Sequence, residues 1–210
     1  YNCGPQLVAN GLLSVDFFFI LSGLVIASAY QGRFLNGMTF PAFVRIRAIR
    51  LLPMSMLSVV LGSLFIVVHQ MLGDVNDSVP GSVAAFLLNL FLIPKLWYEN
   101  WSGYQLFPSN AALWSLFFEV VINLVWAAFL VRASNRVLAT VAAAAGLLLV
   151  YEVMSNGSAN LGWSSLSLLG GFARVTFGFT TGVLIYRHHH QLQGPPKLCA
   201  AFALLLLSVV

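Results

Sequence analysis

Charge is scarce in this chain. Asp, Glu, Lys and Arg together make up only 8% of its 210 residues, whereas a typical soluble domain contains about 25%. Hydrophobic residues account for 60%. The composition therefore excludes an ordinary soluble domain and favours an integral membrane protein whose main partner is the lipid bilayer. No nucleic-acid partner is expected.

Cysteine is also scarce, and the two present, Cys3 and Cys199, are far apart in the sequence. The topology derived below places them on opposite sides of the membrane, so we do not expect a disulfide between them. The sequence has no signal-peptide pattern, internal repeat or low-complexity linker. It starts with Tyr1 rather than Met and ends within an apolar run. We therefore expect residues 1–210 to form a single membrane domain that is incomplete at both ends.

Long apolar stretches divide the sequence into candidate membrane spans. A transmembrane helix needs about 20 mainly apolar residues, and five stretches are long enough. They are Leu12–Tyr30, Met54–Leu72, Ala111–Val131, Val137–Met154 and Leu166–Tyr186. A sixth apolar stretch, Leu198–Val210, reaches the end of the chain. The predicted fold class is therefore all-α, a polytopic transmembrane helix bundle with about six spans.

The positions of Lys and Arg predict the direction of the spans, because short cytoplasmic loops are enriched in these residues. Arg33, Arg45, Arg47 and Arg50 all follow the first span. This region should be cytoplasmic. The first span then runs from outside to inside, and Met54–Leu72 returns to the outside.

Val83–Pro94 is the ambiguous segment of this topology, because its 12 residues are too few for an upright span. If it spans nevertheless, the later basic residues fall outside, whereas a re-entrant or interfacial segment leaves them inside. These residues are Arg132, Arg136, Arg187 and Lys197. The positive-inside rule favours the re-entrant or interfacial segment, with an outer aromatic belt of Trp97, Tyr98, Trp101 and Tyr104. The alternative stays open, because Ser82–Tyr98 could cross a locally thinned bilayer.

A polar stripe lies within the third span. Glu119 is the only charged residue of Ala111–Val131, and Ser115 and Asn123 share its helical face because they lie four residues to either side. An ionisable group within the bilayer is costly unless it faces a cavity or a partner, which makes Glu119 a functional candidate. The alternative interpretation is a structural stripe that hydrogen-bonds neighbouring helices.

Two further charged residues lie within spans. Arg174 shares a face with Gly178 and Gly182, which predicts the close approach of another helix. Glu119 and Arg174 each lie eight residues below the start of their spans, which corresponds to about 12 Å. We therefore predict that they form a buried pair. Asp16, near the outer end of the first span, is either functional or a helix-end carboxylate in contact with water.

Thr39–Pro53 predicts a short cytoplasmic helix that lies along the membrane and ends at Pro53. Arg47 and Arg50 lie three residues apart on one face of it. Arginine keeps its charge and binds phosphate through two hydrogen bonds, so this cluster, with Arg45, suits the phosphates of a cytoplasmic acyl-CoA. The alternative is that the arginines only set topology and contact anionic lipid headgroups.

No metal site is predicted. His188, His189 and His190 are adjacent, and three adjacent imidazoles on a regular helix cannot all face one ion. We interpret this run as solvated.

Four sequence motifs occur in a defined order. They are Ser14–Ile26 against G-V-D-x-F-F-x-x-S-G-F-x-I, Phe43–Pro53 against F-x-x-x-R-x-x-R-x-x-P, Trp114–Glu119 against W-S-L-x-x-E, and Arg174–Phe179 against R-x-x-x-G-F. Only Ser14 and Leu24 depart mildly from the first pattern. Together the motifs resemble the acyltransferase-3 family of integral membrane acyltransferases, from Ser14 to about Arg187.

The resemblance implies transfer of an acyl group, often acetyl, from cytoplasmic acyl-CoA as the donor substrate to a hydroxyl. The implied acceptor is a cell-surface carbohydrate, a lipid-linked unit or a small metabolite. The implied location is the bacterial inner (plasma) membrane, with several crossings. The family also carries an essential histidine in the helix before the first motif, which we expect just upstream of Tyr1.

The resemblance also implies roles for the candidate residues. A hydroxyl is a poor nucleophile at neutral pH, so the upstream histidine is the expected base, with Glu119 and Asp16 as further catalytic residues. The remaining candidates are Arg45, Arg47 and Arg50 for the donor, and Trp114, Ser115, Asn123 and Arg174 for substrate. No metal cofactor is expected.

Two other function classes stay open. In a transporter or flippase-like protein, Asp16, Glu119 and Arg174 would line a substrate path. A catalytically inactive relative would act as a receptor or scaffold. A membrane-embedded histidine upstream of Tyr1 would favour the enzyme.

Overall fold

The computed structural model describes residues 11–71, 79–99 and 102–189, and within these ranges the chain is helical with no strand. The helices are α1 (Gly11–Leu35), α2 (Phe40–Met71), α3 (Val79–Leu90), α4 (Leu113–Val125), α5 (Asn135–Asn156) and α6 (Leu168–His189). A π-helical turn, Trp126–Leu130, extends α4, and a 3₁₀ turn, Ser165–Ser167, precedes α6.

Five helical stretches are long and apolar enough to cross a membrane, which confirms the five predicted spans. They are Leu13–Leu35, Phe40–Val68, Leu113–Leu130, Asn135–Asn156 and Ser165–His188. The sixth predicted span, Leu198–Val210, lies outside the described residues, as do Cys3 and Cys199.

Contacts between helices establish that α1, α4 and α6 run in the same direction. Near the start of α1, Asp16 pairs with Arg174 of α6, and near its end Gln31 accepts a hydrogen bond from Arg187. Towards α4, Ser22 contacts Glu119, and the Phe34 carbonyl accepts a hydrogen bond from Arg132 beyond the π-helical turn.

Helix α2 runs opposite to α4, because Arg47 near its start contacts Glu119 and Ser63 near its end bonds to Ser109, just before α4. If α3 also crossed the bilayer, α4 would run opposite to α1. Helix α3 therefore does not cross. Its 12 residues extend about 18 Å, well short of the roughly 30 Å hydrocarbon core. This confirms the non-spanning segment predicted around Val83–Pro94.

The predicted short helix over Thr39–Pro53 is wrong as a separate element. Helix α2 begins at Phe40 and continues through Pro53 to Met71. A proline removes one backbone hydrogen bond, but packed apolar helices tolerate that loss without breaking. The arginine cluster therefore lies on the first three turns of a long helix.

Glycines allow α1 and α6 to pack backbone against backbone. A Cβ atom on Gly23 would collide with the Phe179 carbonyl, and one on Gly182 would collide with the Ile20 carbonyl. Gly178 lies against the Phe19 side chain. The close helix approach predicted from Gly178 and Gly182 is confirmed, and it fixes the register of α6 on α1.

The chain between α3 and α4 folds against the connection between α5 and α6. The Lys95 amide donates to the Leu106 carbonyl (2.9 Å), and the Leu106 amide donates to the Trp163 carbonyl (3.1 Å). The Lys95 ammonium is fully buried, 3.2 Å from Glu99 Oε2 and 2.8 Å from Ser102 Oγ. Three of the predicted belt residues, Trp97, Tyr98 and Tyr104, are exposed, whereas Trp101 lies outside the described residues.

Candidate active site

Glu119 lies where α1, α2 and α4 meet. Its Oε1 accepts hydrogen bonds from Ser22 Oγ (2.9 Å) and Arg47 Nη2 (3.0 Å), and the residue is only 8% exposed. The Arg47 side chain is mostly buried, with 11% of its surface exposed. The carboxylate is thus paired, hydrogen-bonded and fixed in direction, as a charge within a bilayer must be.

The predicted pair between Glu119 and Arg174 is wrong. Arg174 instead places its Nε 2.7 Å from Asp16 Oδ1, and its Nη1 donates to the Leu161 carbonyl (3.4 Å). The physical reason is depth along α1. Ser22, the Glu119 partner, and Asp16, the Arg174 partner, are six residues apart, or about 9 Å at the helical rise.

The three candidate donor-binding arginines differ in their surroundings. Arg45 and Arg50 are exposed, whereas Arg47 points into the bundle towards Glu119. The Arg47 Nε is buried and has no hydrogen-bond partner among the described residues. Arg47 therefore both holds Glu119 and keeps one N–H donor unused.

A cavity of about 270 Å³ lies beside this pair, between α2, α4 and the turn that follows α3. Of the described residues that line it, only Arg47 is charged. The rest of the wall is apolar and includes Ala48, Leu52, Phe117, Val120 and Leu124. A small apolar group could therefore lie next to a fixed cation, which in turn holds the Glu119 carboxylate.

The other candidates on α4 are not all in the site. The half-buried Trp114 packs edge-on against Phe118, with 6.1 Å between ring centroids. Ser115 donates its hydroxyl to the Ala112 carbonyl of its own helix (3.0 Å). Asn123 is buried one turn below Glu119, and neither atom of its amide has a hydrogen-bond partner within the described ranges.

Two residues that hold the polar contacts of the bundle, Ser22 and Arg187, were not among the residues predicted from the sequence. Ser22 belongs to the first motif, and its spacing from Asp16 was a signal that α1 carries polar groups at two depths. Arg187 binds the carbonyls of Val131 (3.0 Å) and Ala133 (2.6 Å) and the side chains of Gln31 and Asn135. No sequence pattern predicts these contacts of Arg187.

Among the described residues, no group of three His, Cys, Asp or Glu side chains could hold a metal ion.

The family model for an acyltransferase domain matches residues 4–210 of the chain. The chain belongs to the acyltransferase-3 family. It is also similar to "Protein 2 in picA locus" of Rhizobium radiobacter, with 32% identity over 151 residues, which cover 68% of this chain and 78% of that protein. No solved structure matches the chain.

The acyltransferase-3 motifs meet in the bundle through their polar residues. The first motif supplies Asp16 and Ser22, the second Arg47, the third Glu119 and the fourth Arg174. Each motif residue thus contacts a residue of another motif. The protein is a membrane acyltransferase of this family, and its motif residues form two polar clusters at different depths.

Proposed function

We propose that the protein moves an acetyl or other short acyl group from cytoplasmic acyl-CoA to a hydroxyl of a cell-surface carbohydrate or lipid-linked acceptor. The observation that carries this proposal is the buried contact of Glu119 with Ser22 and Arg47. The proposed location is the bacterial inner membrane.

The reaction needs a base and a polarised carbonyl. The acceptor oxygen attacks the thioester carbon, and its proton passes to the base. The carbon–sulfur bond then breaks, and the base returns the proton to the sulfur, so that CoA leaves as its thiol. The base is a histidine from the helix upstream of the first motif, as the family resemblance implies. Glu119, held by two hydrogen bonds, orients that imidazole and stabilises its charged form.

The donor enters beside the arginines of α2. Arg45 and Arg50 are exposed and suit the phosphates of CoA, which prefer the guanidinium group. The cavity beside Arg47 takes the short acyl group, and the unused Arg47 Nε–H stabilises the oxyanion that forms on its carbonyl.

The acceptor enters from the other end of the bundle. Asp16 keeps about a third of its side chain exposed, 35%, while its partner Arg174 is buried. A carboxylate held in this way accepts hydrogen bonds from the hydroxyls of a sugar. This assigns Asp16 and Arg174 to the acceptor and Arg47 and Glu119 to the transfer step.

The test uses full-length protein in proteoliposomes with acetyl-CoA labelled in the acetyl group. Free thiol and labelled acceptor are measured together. Glu119→Gln should abolish both signals, whereas the control Glu152→Gln, on α5 away from the site, should keep them. Movement of substrate without release of thiol would instead support a transporter. Full activity of Glu119→Gln would remove Glu119 from the reaction.

A further inference from the structure

Two buried polar side chains on α4 and its π-helical turn have no partner within the described part of the chain. Asn123 is 1% exposed, and both its Oδ1 and Nδ2 lack hydrogen bonds. Trp126 is fully buried, and its Nε1 also lacks one. Buried polar atoms in native proteins almost always have a partner, so three unpaired atoms on two neighbouring residues indicate a place where a polar ligand group binds.

The two residues form one surface. They are three apart in a helix and so are neighbours on it, and Glu119 lies one turn before Asn123. The Trp126 ring is held by Phe34, Phe43 and Phe179, at centroid distances of 5.9, 6.4 and 6.3 Å. This packing fixes the direction of the indole N–H.

The helix changes its hydrogen bonding at the same place. The Val131 amide donates to the Trp126 carbonyl five residues earlier (2.8 Å), which makes Trp126–Leu130 a π-helical turn. Single π-helical turns within α-helices are rare and are frequent at functional sites.

The chemistry of the three atoms selects the ligand group. The indole N–H and the Asn123 amide NH₂ donate, whereas Asn123 Oδ1 accepts. A phosphate or carboxylate would accept from both donors but leave Oδ1 facing a negative charge. A secondary amide satisfies all three atoms, because its carbonyl accepts two hydrogen bonds and its N–H donates one.

The position of Asn123 and Trp126 in the bundle indicates which substrate carries this amide. Asn123 and Trp126 lie between Glu119 and Arg132, on the side of the bundle that the basic residues assign to the cytoplasm. The acceptor sugar enters from the opposite side. CoA carries two secondary amides in the pantetheine arm, between its phosphates and its thioester.

We propose that Asn123 and Trp126 bind an amide of the pantetheine arm of the donor and so position its thioester next to Glu119. This inference rests on the proposed function, because it assumes an acyl-CoA donor. It makes Asn123 and Trp126 positioning residues.

The experiment is a double-mutant cycle between protein and ligand, in full-length protein. Asn123→Leu keeps the size of the side chain and removes its hydrogen bonds. Two acetyl-CoA analogues each replace one pantetheine amide N–H by an ester oxygen. The wild type should bind one analogue at least about fivefold more weakly than acetyl-CoA. Asn123→Leu should bind both analogues as tightly as it binds acetyl-CoA, because the variant has already lost the hydrogen bond that the ester removes.

Three controls separate binding from folding and from the nucleotide. Acetyl-pantetheine lacks the nucleotide. Its affinity should fall between the wild type and Asn123→Leu by the same factor as the affinity of acetyl-CoA. Without donor, the melting temperature of Asn123→Leu should be unchanged or higher, because an unpaired buried amide has been removed. Val125→Leu, on the exposed side of α4, should bind all ligands like the wild type.

The possible failures are distinguishable. If wild type binds and transfers acetyl from acetyl-CoA but does not discriminate against either ester analogue, the inference is overturned while the proposed function stands. That comparison needs no variant, so poor folding of Asn123→Leu would not obscure it. Wild type that neither binds acetyl-CoA nor releases its thiol would overturn both.

Discussion

Glu119 of α4 and Arg47 of α2 form a buried ion pair, with 3.0 Å between Oε1 and Nη2. This contact joins the second and third sequence motifs across two antiparallel helices. Ser22 of α1 donates to the same oxygen, so three spans converge on one carboxylate.

Breaking this pair from either side should destabilise the protein. Removal of one partner of a buried pair typically costs about 3–5 kcal/mol, because the other charge is left unpaired. We expect Glu119→Gln and Arg47→Gln each to lower folded yield strongly, and the double variant to recover part of it. Acyl transfer should not recover. The measurement is yield of detergent-extracted monodisperse protein together with turnover.

The matched control is a second double-mutant cycle, in which Arg174→Gln takes the place of Arg47→Gln. Arg174 contacts Asp16 and not Glu119. The losses of Glu119→Gln and Arg174→Gln should add in the double variant. Recovery with Arg174 rather than Arg47 would contradict the pairing described here.

The Asp16–Arg174 pair should respond asymmetrically. The Arg174 side chain is 4% exposed, whereas that of Asp16 is 35% exposed. Asp16→Asn leaves a buried cation, but Arg174→Gln leaves a carboxylate that water can reach. The melting temperature should therefore fall further for Asp16→Asn. Equal shifts for the two variants would mean that water reaches Arg174 as well.

Much of the architecture could be predicted from apolar length and the positions of basic residues. These two signals predicted the five spans and the segment around Val83–Pro94 that does not cross. The continuity of α2 through Pro53 could not be predicted from the sequence, because it depends on tertiary packing.

Partner choice in the site was less accessible to sequence reasoning. Burial of Glu119 followed from its position in an apolar segment, but its partner depends on helix register. Contacts at Gly23 and Gly182 set α6 against α1 so that Arg174 reaches Asp16. The order of residues along one span does not contain that information.

Glycine substitutions test the α1–α6 interface. Gly182→Ala would place a Cβ against the Ile20 carbonyl, whereas Gly32→Ala on α1 meets no atom within 4 Å. Gly182→Ala should cost about 1–3 kcal/mol or more, because two backbones must separate. Gly32→Ala should be neutral or stabilising by up to about 1 kcal/mol from helix propensity. Thermal unfolding in detergent measures both, and an unchanged midpoint for Gly182→Ala would argue against this packing.

The topology can be read by cysteine labelling. In protein with Cys3 and Cys199 replaced by Ser, Asn160→Cys lies in the α5–α6 connection and Arg136→Cys at the start of α5, both exposed. An impermeant maleimide should label Asn160→Cys in intact cells and Arg136→Cys only after permeabilisation. The opposite result would place the arginines outside and invert the proposed sides for donor and acceptor.

Arg187 should be irreplaceable by lysine. Its guanidinium donates to the Val131 and Ala133 carbonyls at the end of the α4 segment, to Gln31 of α1 and to Asn135 of α5. Lysine keeps the charge but lacks the planar fork, so Arg187→Lys must leave several of these acceptors unpaired. Each unpaired buried acceptor costs about 1–3 kcal/mol, less where water can enter. The melting temperature should therefore fall clearly for Arg187→Lys.

The exposed Arg136 at the start of α5 is the control, and Arg136→Lys should unfold at the wild-type temperature. Equal midpoints for the two lysine variants would mean that Arg187 acts only through its charge.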